Sequence, residues 1–290
     1  MRDDFAAFIL THGRPDRVLT ISTLEKCGYT GKVFLAVDDE DDALDDYVER
    51  FGKEKVLVFS KSEVGSRIDE GDCGGDRRTI TYARNACFDL AERVGVRYFV
   101  ELDDDYGWIG YRWLGKRDDD PAPRFHGWII RSLDGVFEAL VDFLGASGAD
   151  SVALSQGGDH MGGTSEGSPI KLMRKAMNSF VCDATRPFEF VGRMNEDVNT
   201  YTSRSRRGRL FFTYRPLQLN QEMTQSGGGG ISELYRENGT YLKSFYTVMY
   251  APSCAKISTI GRFSHRIHHK INWNATAPKI LRVDGARPIE

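Results

Sequence analysis

The sequence predicts an α/β protein with a Rossmann-like, mostly parallel central sheet flanked by helices and a less regular second half. Two observations lead there. Short apolar runs alternate with stretches of helical periodicity about ten to fifteen residues long, the pattern of strands joined by covering helices. At 290 residues with 40% hydrophobic content, the chain can also bury both faces of such a sheet.

FAAFIL (5–10) reads as the first strand, followed by the loop THGRPD. Asp16 is then an N-cap for a helix ending near Cys27 and Gly28. KVFLAV (32–37) is a second strand, and an acidic helix runs from about Asp41 to Phe51. KVLVF (55–59) is the third strand, and the polar, Gly-rich EVGSRIDEGDCGGD reads as a mobile loop. TITYARNACFDLAERV (79–94) has helical spacing and RYFVEL (97–102) is the fourth strand. Ligands in such sheets sit beyond the carboxyl ends of the strands, where Asp38 and the triplet Asp103, Asp104 and Asp105 fall.

In the second half, SLDGVFEALVDFLGASG (132–148) reads as an amphipathic helix and SVALSQGG as a strand entering a Gly loop. EDVNTYTSRSRRG (196–208) is a helix, RLFFTYR a strand and QSGGGG (225–230) a flexible loop. There is no internal repeat, so the expectation is one domain over 1–290, with halves 1–130 and 131–290.

A net charge of −3 and a pI near 6.1 exclude a globally basic protein, so any nucleic-acid contact has to be a local patch. No apolar run approaches the roughly 18 residues a membrane span needs, and the N-terminus does not read as a signal peptide. Five cysteines (Cys27, Cys73, Cys87, Cys182 and Cys254) without a CxxC pair suit reduced thiols in a cytoplasm rather than a zinc site or a disulfide framework.

FVELDDDYGW (99–108) sets three carboxylates directly behind a buried strand. A lone pair of acids there reads as solvated surface charge. Three in a row raise the repulsion that a divalent cation relieves, and hard cations take oxygen ligands while sharing substrate phosphates. Alternate residues of an extended chain point the same way, which favours Asp103 and Asp105 over Asp104 as ligands. Polymerases, nucleases and sugar transferases all use such acids. Arg84 could pair with a diphosphate or be a surface arginine, and Asp38 could meet a nucleobase or cap a helix. Asn195, Glu196 and Asp197 supply acids at a helix start, which also suits simple capping.

ILTHGRPD, GYTG, AVDDED, YARN, ELDDDY, GRMNED, TQSGGGG and APKIL together form an ordered series. From about Ile9 to Leu281 the chain resembles the TET/JBP-associated glycosyltransferases, a GT-A group found largely in bacteriophages beside oxygenases that hydroxylate pyrimidines in DNA. The resemblance implies a UDP-sugar donor of the glucose or N-acetylglucosamine class, Mn2+ or Mg2+, and a host-cytoplasm setting beside a TET-like oxygenase. Asp103 and Asp105 match its metal motif, and Asp104 belongs to the donor site. Thr11, Arg14 and Asp38 match nucleotide-lining positions, and Arg84 the diphosphate position. Asp197, with Glu196 as second choice, matches the catalytic base, and one of His265, His268 and His269 completes the metal site.

The acceptor implied is the hydroxymethyl group of hydroxymethylcytosine or hydroxymethyluracil in DNA, reached in a flipped or single-stranded nucleotide. Arg204, Arg206, Arg207, Arg209 and Arg215, near aromatics, form the expected DNA patch; a solvated helix face is the plainer reading. Arg262, Arg266 and Lys270 add basic charge, and Tyr106, Trp108 and Trp113 either wall the sugar or pack in the core. The Gly loops 157–163 and 226–230 lack the Lys-Ser/Thr ending of a P-loop and suit lids. A transferase with a protein or glycan acceptor, a non-catalytic DNA-binding relative, and a metal-dependent nuclease or polymerase are the alternatives.

Overall fold

The computed structural model describes residues 1–71, 77–117, 120–157, 170–172, 178–221, 231–260, 266–276 and 278. Four parallel strands, β1 (Phe5–Leu10), β2 (Lys32–Asp38), β3 (Val56–Phe59) and β4 (Tyr98–Asp103), lie in the order β3-β2-β1-β4. Between them run α1 (Leu19–Lys26), α2 (Leu44–Phe51), α3 (Lys61–Gly65) and α4 (Thr81–Arg93).

All six residues of β1 are buried, and the two-residue period divides them between two cores. Phe5, Ala7 and Ile9 pack with Leu24 of α1, Tyr47 of α2, and Phe137 and Leu144 of α5 (Leu133–Ser147). Ala6, Phe8 and Leu10 pack with Tyr82, Ala86 and Leu90 of α4. A strand covered on both faces must be apolar throughout, which is why FAAFIL carries no polar alternation.

The second half extends the same sheet by a different rule. β9 (Ser179–Asp183) lies antiparallel beside β4, then come β7 (Ser151–Ser155), β10 (Phe211–Gln221), β5 (Tyr106–Arg117) and β6 (Asp120–Ile129), with β8 (Ile170–Lys171) also on β10. Here only β7 and β10 run parallel; the other pairings are antiparallel, which require no crossover helix. Beyond the sheet, α6 (Glu196–Ser205) packs against α7 (Ile231–Tyr250), and α7 packs on the antiparallel pair β11 (Ala255–Ile260) and β12 (Arg266–Ile271).

Some local expectations are corrected. Asp16 does not cap α1: Pro15 starts a 3-10 turn, Pro15–Arg17, and α1 begins after Val18 without a side-chain cap bond. That helix ends at Gly28, whose φ of +77° only glycine adopts cheaply, and a Cβ there would meet the Arg131 carbonyl oxygen at 2.2 Å. The stretch read as a mobile loop, 63–76, begins inside α3 and continues without helix or strand to Gly71, and 72–76, with Cys73, lie outside the described residues. Cys27, Cys87, Cys182 and Cys254 are buried free thiols. Among the described residues no helix is long and apolar enough to cross a membrane.

Candidate active site

β4 ends at Asp103 and β5 begins at Tyr106, so Asp104 and Asp105 make the turn at the carboxyl edge of the parallel strands. The side chains diverge. Asp104 is fully buried and clamped by Arg14, whose Nε and Nη2 lie 2.8 and 2.6 Å from its two oxygens. Thr11 donates to the same carboxylate at 2.6 Å and accepts from the Tyr47 hydroxyl at 2.8 Å. Thr20, at the start of α1, donates through Oγ1 to the Asp103 carbonyl at 2.6 Å and through its amide to that of Asp104 at 3.1 Å. The turn is held before any ligand arrives.

Asp103 and Asp105 face the other way. The side-chain amide of Gln221, the last residue of β10, donates to Asp105 Oδ2 at 3.1 Å and to Asp103 Oδ2 at 3.4 Å. One nitrogen therefore reaches an oxygen from each carboxylate. Asp105 Oδ1 is buried without a hydrogen-bond partner. Burial lifts the Asp103 carboxyl to about 7, against the pull of Arg84. It lifts Asp105 to about 6, against the Gln221 hydrogen bond. Two converging Oδ2 atoms, with the orphaned Oδ1 of Asp105 beside them, are the donor set that a hard divalent cation takes, so the residues fit such an ion.

Behind this pair, Arg84 of α4 is completely buried and binds three carboxylates. Its Nη2 lies 3.1 Å from Asp103 Oδ1, its Nε 3.1 Å from Glu196 Oε1, and its Nη1 3.4 Å from Glu101 Oε2. Burial works against the guanidinium charge, but Asp103, Glu196 and Glu101 hold its pKa above the ordinary arginine value. Glu101, one pleat before Asp103 on β4, is raised by burial to about 8. Glu196 is raised too, by burial first and then by the charge of Asp197. Arg84, expected at a diphosphate, has its nitrogens on these three carboxylates.

The acceptor-side motif sits at the start of α6. Asn195 adopts a left-handed φ of 57°, which asparagine tolerates better than most residues. Its Nδ2 lies 3.1 Å from the Lys243 carbonyl, 3.1 Å from Thr247 Oγ1 and 3.3 Å from His269 Nδ1. Glu196 and Asp197 follow in the first turn, 6% and 8% exposed, so both carboxylates are shielded from bulk water. Of the three late histidines, His269 is thus set beside this motif. His268 adjoins it on β12 with ring centroids 4.2 Å apart, and His265 lies outside the described residues.

A separate cluster lies at the ends of β1 and β2. Asp38, 4% exposed, takes His12 Nδ1 at 2.7 Å and Lys61 Nζ at 2.8 Å. Asp41 Oδ2 is 3.4 Å from the same imidazole nitrogen and accepts the Gly13 amide at 2.8 Å. The Asp38 hydrogen bond leads in raising the His12 pKa. Burial would lift Asp38, yet His12 and Lys61 hold it below its usual range. His12, Asp38 and Asp41 could hold a metal by spacing, but Lys61 already supplies a cation to Asp38.

Compared with known families, residues 5–230 match the profile described as TET-Associated Glycosyltransferase. The chain belongs to that family. By family it is a glycosyltransferase, and the expected sheet with helices on both faces is the one observed. Among solved structures, the TET-associated glycosyltransferase is similar to a mannosyltransferase of Pyrobaculum calidifontis in complex with GDP-Man and Mn2+. That match has 11% identity and a TM-score of 0.47, covering 87% of this chain and 73% of the other. Glucosyl-3-phosphoglycerate synthase of Mycobacterium tuberculosis, in complex with Mg2+ and UDP, is similar at 10% identity and TM-score 0.44, covering 92% and 87%. TarS 1-349 of S. aureus, in complex with UDP-GlcNAc, is similar at 11% identity and TM-score 0.41, covering 84% and 66%. No curated protein matches the sequence.

Several arginines of the expected DNA patch of the transferase have partners within the chain. α6 carries the acidic motif at its start and the arginines at its end, about 13 Å away at helical rise. Arg204 pairs with Glu189 at 3.0 Å and Arg209 with Asp150 at 2.9 Å. Arg206 donates to Ser253 and to the Tyr250 carbonyl, Arg207 is exposed, and Arg215 has its Nε buried without a partner. Tyr106 is buried, donating to the Asn178 carbonyl at 2.6 Å, and so belongs to the core. Trp108 is half-buried. The side chains of Trp113 and Arg266, Arg262, and the loops 158–163, 226–230 and most of 277–281 lie outside the described residues.

Four residues of the site were not singled out from sequence: Glu101, Gln221, His12 and Lys61. Glu101 had a signal, a lone charge inside an apolar strand. His12 had a weaker one, beside Thr11 at a strand end. Gln221 and Lys61 had none: the β10–β5 pairing delivers Gln221, and Lys61 starts α3 just after β3, which pairs with β2.

Proposed function

We propose that this transferase moves a sugar of the glucose or N-acetylglucosamine class from its UDP derivative to the hydroxymethyl group of hydroxymethylcytosine or hydroxymethyluracil in DNA, with inversion. One observation carries the reading. Asp103 turns Oδ2 toward the point it shares with Asp105 and Oδ1 to Arg84, which also holds Glu196 at the head of the helix bearing Asp197. The groups suited to holding a donor and the groups suited to taking a proton are thereby one connected unit.

Asp103 and Asp105 would hold Mn2+ or Mg2+, which when bound supplies positive charge to the departing diphosphate. Late histidines, His269 foremost, are candidates for a further ligand. Asp38, set at the end of β2, would orient the nucleotide, with His12 and Lys61 fixing its carboxylate. Thr11 and Arg14 contribute by locking Asp104 and hence the turn. Glu196 is anchored by Arg84, so Asp197 is the carboxylate assigned to accept the proton of the attacking alcohol, as a poor nucleophile requires. Burial of both acids excludes the water that would compete as acceptor.

The DNA acceptor rests on the family's association with TET oxygenases, whose product is the alcohol this chemistry consumes. The ion pairs that engage Arg204 and Arg209 favour a second reading, the same donor with a protein or glycan acceptor. Incubation with Mn2+, a panel of UDP-sugars, and DNA carrying hydroxymethylcytosine, hydroxymethyluracil or neither, followed by nucleoside mass analysis, separates them. One added hexosyl or N-acetylhexosaminyl group on a hydroxymethyl nucleoside is the expected result. Transfer to peptide or glycan but never to DNA would overturn the acceptor assignment.

A further inference from the structure

Gln221 approaches the acid turn from the end of β10, 116 positions along the chain from Asp105. β10 pairs antiparallel with β5, with Gln221 opposite Tyr106, and the register shifts between Asn220 and Gln221. Such an irregularity re-aims a side chain at a strand end. Here it directs the amide across the turn, where Nε2 donates to Asp105 Oδ2 at 3.1 Å and to Asp103 Oδ2 at 3.4 Å. The site thus already holds a partial positive charge between its two acids.

A cation claiming those two oxygens competes with the amide nitrogen for the same lone pairs. Gln221 then has two courses, to withdraw or to turn its other end inward. The ladder to β5 fixes the backbone of Gln221, so withdrawal has to come from the side chain alone. Rotation about the terminal torsion is cheaper, because that torsion is broad and nearly two-fold in its preferences. A half-turn replaces a donor with a carbonyl oxygen, a ligand type that magnesium and manganese accept. Asp105 Oδ1, buried and without a partner, is a second sign that the turn is arranged for a ligand beyond the chain.

We propose that Gln221 is a metal-site residue that works through both ends of its amide. Its nitrogen keeps Asp103 and Asp105 converged while the site is free of metal, and its oxygen joins them as a neutral ligand when the ion enters. The inference rests on the metal-dependent reading above and adds to it a ligand from a strand with no acidic motif.

The test is Mn2+ binding to the purified full-length protein without donor, followed by electron paramagnetic resonance, for wild type, Gln221→Ala and Gln221→Glu. Thermal melting of each variant without metal reports folding. The Ala variant should bind Mn2+ roughly tenfold or more weakly, in line with losing a metal-site partner. The Glu variant, with an oxygen at the same place, should bind at least as well as wild type. Equal or tighter binding by the Ala variant would make the amide a mere competitor and overturn the proposal, as would a Glu variant no better than Ala. Wild-type protein that binds no Mn2+ at all would instead remove the metal reading itself.

Discussion

Replacing Arg84 with methionine separates two accounts of this residue. The guanidinium is fully buried among Glu101, Asp103 and Glu196, so the substitution leaves carboxylates buried without compensation. Breaking a buried ion pair typically costs about 3–5 kcal/mol. Glu101, lifted to about 8 by burial, is already mostly protonated at neutral pH, which places Arg84→Met near the lower end of that range. For a chain this long, about 3 kcal/mol lowers Tm by roughly 5 °C. Asp103 also loses the partner that orients it, so Mn2+ affinity measured without donor should fall about 10- to 100-fold. Arg84→Lys should fall between, keeping a charge but not the fork that spans three acids. The reasoning is refuted if Arg84→Met melts within about 2 °C of wild type. It is refuted equally if Mn2+ affinity is unchanged while the donor KM rises, because the guanidinium would then serve the diphosphate directly.

Other substitutions test separate links. Asp197→Asn should leave donor binding intact, measured by calorimetry, and lower kcat at least about 100-fold, the low end for a removed general base; loss of donor affinity instead would place Asp197 on the donor side. His12 has a folded pKa raised chiefly by its hydrogen bond to Asp38, so it contributes stability fully present below its unfolded value of about 6.5. That contribution is lost as pH rises through the raised folded value. Melting temperatures across this window should therefore lose part of their decline in His12→Gln, and parallel curves for both proteins would refute the assignment. Replacing Arg206 and Arg207 together with alanine should reduce the slope of log affinity for DNA against log salt by about 2 if both meet phosphates. An unchanged slope would put the nucleic acid elsewhere.

The parallel half was legible because each strand is a short apolar run and each helix has its own period, both local properties. The alternation expected for the acid triplet is what the side chains do: Asp104 turns to Arg14 and Thr11, Asp103 and Asp105 to Gln221. The second half hid itself for physical reasons. β5 and β6 carry glycines, aromatics and charges rather than an apolar face, and the histidines of β12 drew attention as metal ligands while the strand that carries them gave no local signal. α7, a 20-residue helix, has Gly239 in its interior and went unread. Arg84 stands out in the sequence, but a helix position says nothing of which carboxylates lie under it. Gln221 acquires its meaning only from the β10–β5 register, a contact no local pattern encodes.

The claim that Asp103 and Asp105 hold a cation together with a nucleotide diphosphate is tested most directly by anomalous diffraction from crystals grown with UDP-glucose and Mn2+. The account predicts a manganese peak between these two carboxylates, in contact with the diphosphate. An ordered nucleotide with the peak at His12, Asp38 and Asp41 instead would contradict it.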